Sequence, residues 1–164
     1  MTRVYAGIGS NVDRDTHIRA AVRLMAESFG RLLLSSVYES PAYGFEGDNF
    51  YNLVTGFDTA MDLPELAARL REIEYACGRQ RQEGRFLPRT VDIDLLLFGN
   101  TIRHDDDFDL PRVDIVLFAF VLWPLSEIAA VERHPGLGRT YAELWRDFDG
   151  KKNQIRPVRF SFTG

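Results

Sequence analysis

Apolar residues recur with a period of two in some stretches of this chain and with a helical period in others. The period of two predicts strands near residues 3–8, 32–38, 50–59 and 90–98. The helical period predicts two helices between them. The inner stripe of the first helix is Ile18, Ala21, Val22, Met25 and Phe29, and that of the second is Leu63, Leu66, Ala67, Leu70, Ile73 and Cys77.

These elements follow one another in the order β-α-β-β-α-β, which we interpret as a single domain over residues 1–164. The order is the signature of a ferredoxin-like α+β sandwich, with helices packed on one face of an antiparallel sheet. The Gly-Asn pair at 99–100 predicts a turn that returns a short strand. Residues 104–109 are acidic and irregular, and residues 141–148 predict a closing helix. A fold of this kind does not by itself define a function.

The composition narrows the range of functions. The formal net charge is −4 and the pI is near 5.4, which argues against general binding to nucleic acid or to anionic membranes. Cys77 is the only cysteine, so an internal disulfide and a multi-cysteine zinc site are excluded, and a buried, inert thiol is expected. No secretory pattern or spanning apolar run is present. We expect a cytoplasmic monomer or weak dimer that binds small molecules.

Two aspartates interrupt the predicted strand at residues 90–98, although aspartate disfavours strands and like charges on one face repel each other. Alternation assigns Thr90, Asp92, Asp94 and Leu96 to one face and Val91, Ile93, Leu95 and Leu97 to a core-facing side. The Cα atoms of Asp92 and Asp94 are therefore about 6.5–7 Å apart. Their carboxylates suit two Mg²⁺ ions about 3.5–4 Å apart. A solvated strand face is the alternative, because short motifs are weak evidence.

A cluster of arginines directly precedes this strand. Arg79, Arg81, Arg85 and Arg89 fall within eleven residues and are opposed only by Glu83. Arginine binds phosphate oxygens bidentately and stays charged. A basic loop beside paired carboxylates suits a magnesium–nucleoside triphosphate and favours phosphoryl transfer, although a solubilising surface loop is the alternative. The chain has neither the P-loop nor the dinucleotide-binding glycine motif.

The stretch "GRFLPRTVDIDLLLFG" closely resembles the signature of the 6-hydroxymethyl-7,8-dihydropterin pyrophosphokinase family. Other segments agree with that family in order and spacing: "GIGSN", "VYESPAYG", "FYNLV", "EYACGRQR" and "FVLWPLSEIA". The resemblance covers residues 4–130. It implies a ferredoxin-like fold and the transfer of pyrophosphate from ATP to the hydroxymethyl group of a pterin, with release of AMP, in folate biosynthesis.

The resemblance also implies where ATP and magnesium bind. Asp92 and Asp94 match the carboxylates that hold two Mg²⁺ ions across the ATP phosphates. The arginines that contact the triphosphate match Arg79 and Arg89, and those in the mobile loop that closes over it match Arg81 and Arg85. Arg79, Arg89 and Asp94 are thereby the expected catalytic residues. Phe86 stands where the family often has a large aromatic residue that closes the site.

A second group of residues matches the pterin pocket of the family. Phe50 and Phe120 match the two aromatic rings that sandwich the pterin, and Asn52 matches the amide that binds its edge. A loop that lines the pocket matches Ser40, Pro41 and Tyr43. These roles agree with the chemistry, since a flat heterocycle gains from stacking between rings and an amide offers a donor and an acceptor. Core packing is the alternative role of the two phenylalanines.

The chain departs from the family pattern beyond residue 105. Arg112 replaces the usual histidine that helps to bind ATP, although arginine could still reach phosphate or ribose. Phe118 replaces an arginine near the phosphates, and Asp107 and Asp109 add negative charge there. A diverged paralogue that binds a pterin or a nucleotide with weak or altered catalysis is therefore the alternative function. An ordinary kinase or nucleotidyltransferase that uses the same Asp-x-Asp is a third.

Overall fold

The computed structural model describes residues 1–42, 47–78, 90–149 and 154–163. Eight strands and five helices occur in this part of the chain. In order they are β1 (Thr2–Ser10), α1 (Arg14–Phe29), β2 (Leu33–Leu34), β3 (Val37–Ser40), β4 (Phe50–Thr59), α2 (Leu63–Ala76), β5 (Asp92–Phe98), β6 (Arg103–His104), β7 (Asp109–Leu110), α3 (Asp114–Leu117), α4 (Ala119–Ile128), α5 (Tyr141–Arg146) and β8 (Arg156–Val158).

The main sheet has the strand order β5-β1-β4-β3-β8, and the two residues of β2 also pair with β4. All of its pairings are antiparallel. The first four strands of this order reproduce the arrangement expected of a ferredoxin-like sandwich, and β8 extends it beside β3. The strand β1 lies between β5 and β4, so it is the strand on which the site described below is built.

One face of the sheet is covered by α1 and α2, as the helical periods predict. The second helix begins with a capping box between Asp62 and Glu65, which satisfies backbone N–H groups at its first turn. Burial of the two apolar stripes against the sheet forms the larger core. Its members include Val4, Ala6 and Ile8 of β1, Ile18, Ala21 and Met25 of α1, and Leu66, Leu70 and Ile73 of α2.

The opposite face is covered as well, by α4 and α5, so the prediction of helices on one face only was incomplete. A second core joins this face to the two helices. It includes Tyr5, Val54 and Leu96 from the sheet, Leu122 and Leu125 from α4, and Tyr141 from α5. Because β1, β4 and β5 carry apolar residues at both alternating sets of positions, neither face is left to solvent over this half of the sheet.

The predicted alternation along β5 holds as far as Leu95 and then fails. Ala6 pairs with Leu95 but Tyr5 pairs with Leu97, so Leu96 is an extra residue opposite one step of β1. This β-bulge shifts the faces, and Leu97 joins Leu96 in the second core rather than Ile93 in the first. The assignment of Leu97 to the same side as Ile93 was therefore wrong.

Two local predictions need smaller corrections. The strand predicted at 32–38 is two short strands, interrupted where Ser35 exchanges hydrogen bonds with Val54. The acidic segment predicted to be irregular, residues 104–109, has no strand at 105–108, but its two ends belong to β6 and β7, which pair with each other. Cys77 is buried, as expected, and burial raises the pKa of its thiol to about 11. Within the described ranges, no helix has both the length and the apolar character to cross a membrane.

Candidate active site

The candidate site lies on a strip of sheet where the central strand carries no side chains. On β1, Gly9 pairs with Asp92 of β5 on one side and with Asn52 of β4 on the other. Two residues earlier, Gly7 pairs with Asp94. Neighbouring strands are spaced by about 4.8 Å, so the backbones that carry Asp92 and Asn52 stand about 10 Å apart. The glycines leave the floor between these side chains open.

A cavity of about 220 Å³ stands on this floor. It brings together most of the residues that the sequence assigned to metal and pterin binding. The predicted residues among its lining are Ser40, Pro41, Phe50, Asn52, Asp92, Asp94 and Phe120. Tyr43, which was predicted with them, lies outside the described residues. The glycines, Val54, Leu96, Val121 and Asp114 complete much of the wall.

Asn52 is held in one orientation by its neighbours. Its side-chain Nδ2 donates a hydrogen bond of 2.7 Å to Ser40 Oγ, and both residues are almost fully buried. A Cβ atom on Gly9 would lie 2.9 Å from Asn52 Oδ1, closer than a real contact permits. Glycine is therefore required at position 9 for the observed placement of the amide, which presents its polar atoms to the cavity.

A second cavity, of about 460 Å³, opens on the outer side of β5. It lies between α2, β5 and the β6–β7 hairpin. Among its lining residues are Ala67, Leu70, Leu95, Phe108, Asp109 and Arg112. Asp94 lines this cavity and the first one alike. The two cavities thus adjoin each other at the second aspartate of the Asp-x-Asp pair.

Arg112 lies at this junction. Its Nη2 is 3.8 Å from Asp94 Oδ1 and its Nε donates to Asp114 Oδ2 at 3.1 Å. The extra acidic residue Asp109 is engaged locally, because its carboxylate contacts His104 at 2.6 Å and accepts the backbone N–H of Val113 at 3.0 Å. That backbone hydrogen bond, together with His104, lowers the pKa of Asp109. Part of the negative charge near the second cavity is therefore already compensated.

Phe118 has a packing role. Its ring stacks on Phe120 with centroids 5.1 Å apart and an interplanar angle of 21°. Phe118 is not among the described residues that line the second cavity. The ring of Phe118 therefore packs against the ring of Phe120, which lines the first cavity.

A residue beside the site that the sequence did not single out is Glu74 of α2. It is 7 % exposed, and its Oε2 accepts the backbone N–H of Ile93 at 2.7 Å. Ile93 separates Asp92 from Asp94, so Glu74 fixes the backbone between the two carboxylates. The available signal was the position of Glu74, which falls on the apolar stripe of α2 between Leu70 and Cys77, where a charged residue is unusual.

The arginine cluster and the predicted lid residue cannot be placed. Residues 79–89 lie outside the described part of the chain, and with them Arg79, Arg81, Arg85, Phe86 and Arg89. No group of three or more His, Cys, Asp or Glu side chains forms a metal site among the residues that are described. The pair Asp92 and Asp94 nevertheless fits magnesium, which takes one or two carboxylates and completes its shell with substrate oxygens and water. The adjacent glycines leave the space that such a shell needs.

Solved structures establish the fold class. A chain described as HPPK-DHPS in complex with substrates superimposes over 96 % of this chain with a TM-score of 0.73 at 12 % identity. The Plasmodium falciparum HPPK-DHPS with SDX-DHP gives a TM-score of 0.71 at 14 % identity over 96 % of this chain. This chain spans about half the length of those solved chains. The class is a ferredoxin-like α+β fold with helices packed on an antiparallel sheet.

Sequence relatives establish the family. The 2-amino-4-hydroxy-6-hydroxymethyldihydropteridine pyrophosphokinase of Aquifex aeolicus is 34 % identical over 96 % of both chains. The enzyme of the same name from Methylorubrum extorquens is 37 % identical over 79 % of this chain and 84 % of its own. The family model for 7,8-dihydro-6-hydroxymethylpterin-pyrophosphokinase (HPPK) matches residues 5–130. This chain therefore belongs to the 7,8-dihydro-6-hydroxymethylpterin-pyrophosphokinase family.

Substitution of Glu74 tests whether its carboxylate fixes the backbone between the aspartates. In Glu74→Ala the buried N–H of Ile93 loses its acceptor, so we expect the free energy of unfolding to fall by about 1–3 kcal/mol. We also expect the Ile93 amide to exchange with solvent at least about tenfold faster. Glu74→Gln keeps an acceptor oxygen and serves as the matched control. Amide exchange followed by NMR measures both, and an unchanged Ile93 rate in Glu74→Ala would contradict the assignment.

Proposed function

We propose that this protein transfers pyrophosphate from ATP to the hydroxymethyl oxygen of 6-hydroxymethyl-7,8-dihydropterin, releasing AMP, as a step of folate biosynthesis. Family membership supplies the reaction. The observation that carries the proposal is that Asp94 lines two adjoining cavities. An acceptor bound in one and a donor bound in the other would meet beside a carboxylate suited to magnesium.

The first cavity suits the pterin. Its aromatic residues Phe50 and Phe120 can stack on a flat heterocycle, and Asn52 presents amide atoms that complement the amide-like edge of a pterin. The hydrogen bond from Asn52 to Ser40 holds that amide in place before any ligand arrives. Such preorganisation reduces the conformational entropy that is lost when the ligand binds. Pro41 lines the same wall, and we assign Tyr43 to the loop that follows it.

The second cavity suits the nucleotide. Its apolar residues, such as Leu70, Leu95 and Phe108, offer contact area for a purine base. Arg112 stands where this cavity reaches Asp94, at the end that the triphosphate would occupy. We assign Arg112 to the phosphates or ribose. We assign Arg79, Arg81, Arg85 and Arg89 to the triphosphate and Phe86 to the lid over it, because they directly precede the strand of the aspartates in sequence.

Asp92 and Asp94 would hold two Mg²⁺ ions, which neutralise the charge that develops on the phosphates during transfer. The chain's own contribution is to present the two carboxylates on one face of β5, with their backbone fixed at Ile93 by Glu74. Gly7 and Gly9 keep the adjoining floor open, so that the hydroxymethyl group can approach the phosphates. Phe50 and Phe120 would flank the bound acceptor, and exclusion of water there would disfavour hydrolysis of ATP.

The departures from the family pattern do not require a different activity. Phe118 lacks the positive charge of the arginine that the family usually has here, but its ring packs against Phe120, which lines the first cavity. Arg112 supplies a cation beside Asp94, which the usual histidine provides only when it is protonated. No relative described above favours a binding protein without catalysis. We therefore retain the pyrophosphokinase reaction as the function.

A product assay tests the proposal. The purified protein is incubated with ATP, Mg²⁺ and 6-hydroxymethyl-7,8-dihydropterin, and the nucleotides and pterins are separated by chromatography. We expect AMP and the pterin pyrophosphate in equal amounts, and neither product after chelation of the metal. ADP would indicate a simple kinase, and binding of both substrates without product would indicate the diverged paralogue; either result would overturn the proposal.

Removal of either carboxylate should abolish turnover and leave the fold intact. We expect Asp92→Ala and Asp94→Ala to lower kcat by at least about a thousandfold, since metal binding contributes several kcal/mol to the transition state. The sheet should tolerate both changes because like-charge repulsion on its face is relieved. Asp58→Ala, on β4 and paired with Arg3 at 2.7 Å, is the control. Steady-state kinetics decide, and full activity in either site variant would contradict the metal assignment.

A methyl group on Gly9 should weaken pterin binding selectively. In Gly9→Ala the new Cβ would lie 2.9 Å from Asn52 Oδ1, so the amide has to move and its hydrogen bond to Ser40 is strained. We expect the KM for the pterin to rise about tenfold, the effect of one impaired hydrogen bond. The KM for ATP provides the internal control and should hardly change. A variant in which both KM values rise together would argue against this role of Gly9.

A further inference from the structure

A cluster of polar contacts lies behind the wall that carries Ser40, Phe50 and Asn52, on the side of the sheet that faces α1. At its centre is Arg14, the first residue of that helix. Its Nη1 lies 2.9 Å from Glu39 Oε2 and donates to the backbone oxygen of Asn49, also at 2.9 Å. Its guanidinium carbon stands 3.9 Å from the centroid of the Tyr51 ring. One side chain thus joins α1 to β3, to β4 and to the residue that precedes β4.

Each of these three partners is next in sequence to a residue of the cavity wall. Glu39 precedes Ser40, Asn49 precedes Phe50, and Tyr51 lies between Phe50 and Asn52. Successive strand residues point to opposite faces. Arg14 therefore contacts one face of these strand segments, and the cavity residues project from the opposite face of the same segments. The cross-strand pair Ser40–Phe50 is held on both strands, at Glu39 and at Tyr51.

We propose that Arg14 is a positioning residue for the pterin-binding wall: it fixes the end of β3 and the start of β4 so that Ser40, Phe50 and Asn52 are in place before the ligand binds. The proposal rests on the proposed function, because it concerns the pterin side of that site. Nothing in the motifs of the sequence pointed to this residue, since it touches the wall only through backbone neighbours.

The position of the contacts of Arg14 explains why they affect the pterin side of the site. The chain between Ser40 and Phe50 joins two paired strands, and each end of that connection carries a wall residue. Asn11 Nδ2 donates to the backbone oxygen of Asp48 at 3.3 Å, and Arg14 donates to that of Asn49, so the connection is held where it returns to the sheet. The contact from Arg14 is the shorter of the two. Its loss would release the start of β4, which carries the ring of Phe50.

Arginine suits this position better than a generic cation. A planar guanidinium can donate to a carboxylate and a carbonyl in its plane while its face rests on an aromatic ring. Exposed ion pairs contribute little on their own, but Glu39 is only 13 % exposed in its side chain and is shared by two arginines. Hydrogen bonding from Arg156, together with the charge of Arg14, lowers the pKa of Glu39, so the carboxylate is anionic at neutral pH.

Arg156 of β8 provides a matched control. Its Nη2 donates to the other oxygen of the same carboxylate, Glu39 Oε1, at 2.7 Å. Among the described residues its side chain makes a polar contact with Glu39, and it is 74 % exposed. Arg156→Ala therefore removes an ion pair to Glu39 without touching Asn49 or Tyr51. Arg14→Ala removes an ion pair to the same residue together with the contacts that hold the start of β4.

The experiment compares pterin and nucleotide binding in these two variants and the wild type. The probe is 6-hydroxymethylpterin, titrated by fluorescence in the presence of Mg²⁺ and a non-hydrolysable ATP analogue. We expect Arg14→Ala to raise the Kd for the pterin about tenfold, in line with the loss of a charged hydrogen bond. We expect Arg156→Ala to stay within about twofold of wild type, as for an exposed ion pair. The Kd for the nucleotide analogue should be unchanged in both.

The remaining outcomes are decisive. An equal rise of the pterin Kd in both variants would overturn the inference, since the ion pair to Glu39 would then account for the whole effect. A parallel loss of nucleotide binding in Arg14→Ala would overturn it too, because the role would be general stability. If Arg14→Ala does not fold, Tyr51→Leu, which removes the ring beneath the guanidinium, must raise the pterin Kd selectively. If the wild type binds the pterin and Arg14→Ala binds it with an unchanged Kd, this inference alone is refuted. If the wild type binds no pterin, the proposed function is refuted and the inference with it.

Discussion

The site depends on the dual use of the central strand β1. One set of its alternating positions, including Val4, Ala6 and Ile8, builds the larger core against the helices. The other set contains Gly7 and Gly9, which give the cavity its floor. The backbone pairs with β4 from Thr2 to Ser10 and with β5 from Val4 to Gly9, so the floor is held by strands on both sides. A side chain at position 9 would collide with Asn52, so the observed position of the Asn52 amide requires a glycine on the floor of the cavity.

The strand β5, which carries Asp92 and Asp94, is an edge strand of the sheet, so one row of its backbone groups has no neighbouring strand. Two contacts from the described residues cover that edge. Glu74 accepts the N–H of Ile93, and the backbone N–H of Arg112 donates to the oxygen of Leu96 at 3.0 Å. The first fixes the backbone between the aspartates, and the second brings Arg112 to the place where the two cavities meet. Protection of the edge and assembly of the site are therefore achieved by the same residues.

Much of this arrangement follows from the sequence, because it depends on local periodicity. The period of two predicts the bounds of β4 and the shared face of Asp92 and Asp94, and the helical period predicts the stripes of α1 and α2. The sequence could not reveal the bulge at Leu96, since a bulge arises from pairing with β1 and leaves no local signal. The sequence predicts the closing helix that is α5, but it could not reveal that α4 and α5 cover the second face, nor the hydrogen bond of Glu74, because both depend on contacts between distant segments. The roles of the residues at 79–89 stay predictions.

The charge of the site supplies an argument for its chemistry that does not depend on resemblance. Among the described residues that line the first cavity, three are carboxylates, Asp92, Asp94 and Asp114, and none is cationic. The second cavity adds three arginines, Arg71, Arg103 and Arg112, and two further aspartates, Asp107 and Asp109, so the described lining of the two cavities together holds more carboxylates than arginines. A triphosphate brought to such a surface would be repelled unless further cations accompany it. Magnesium bound to the aspartates would supply such cations, and the arginines at 79–89 would add to them in the proposed complex. The electrostatics of the described residues therefore favour a triphosphate that arrives with a bound metal ion, as the proposed reaction employs.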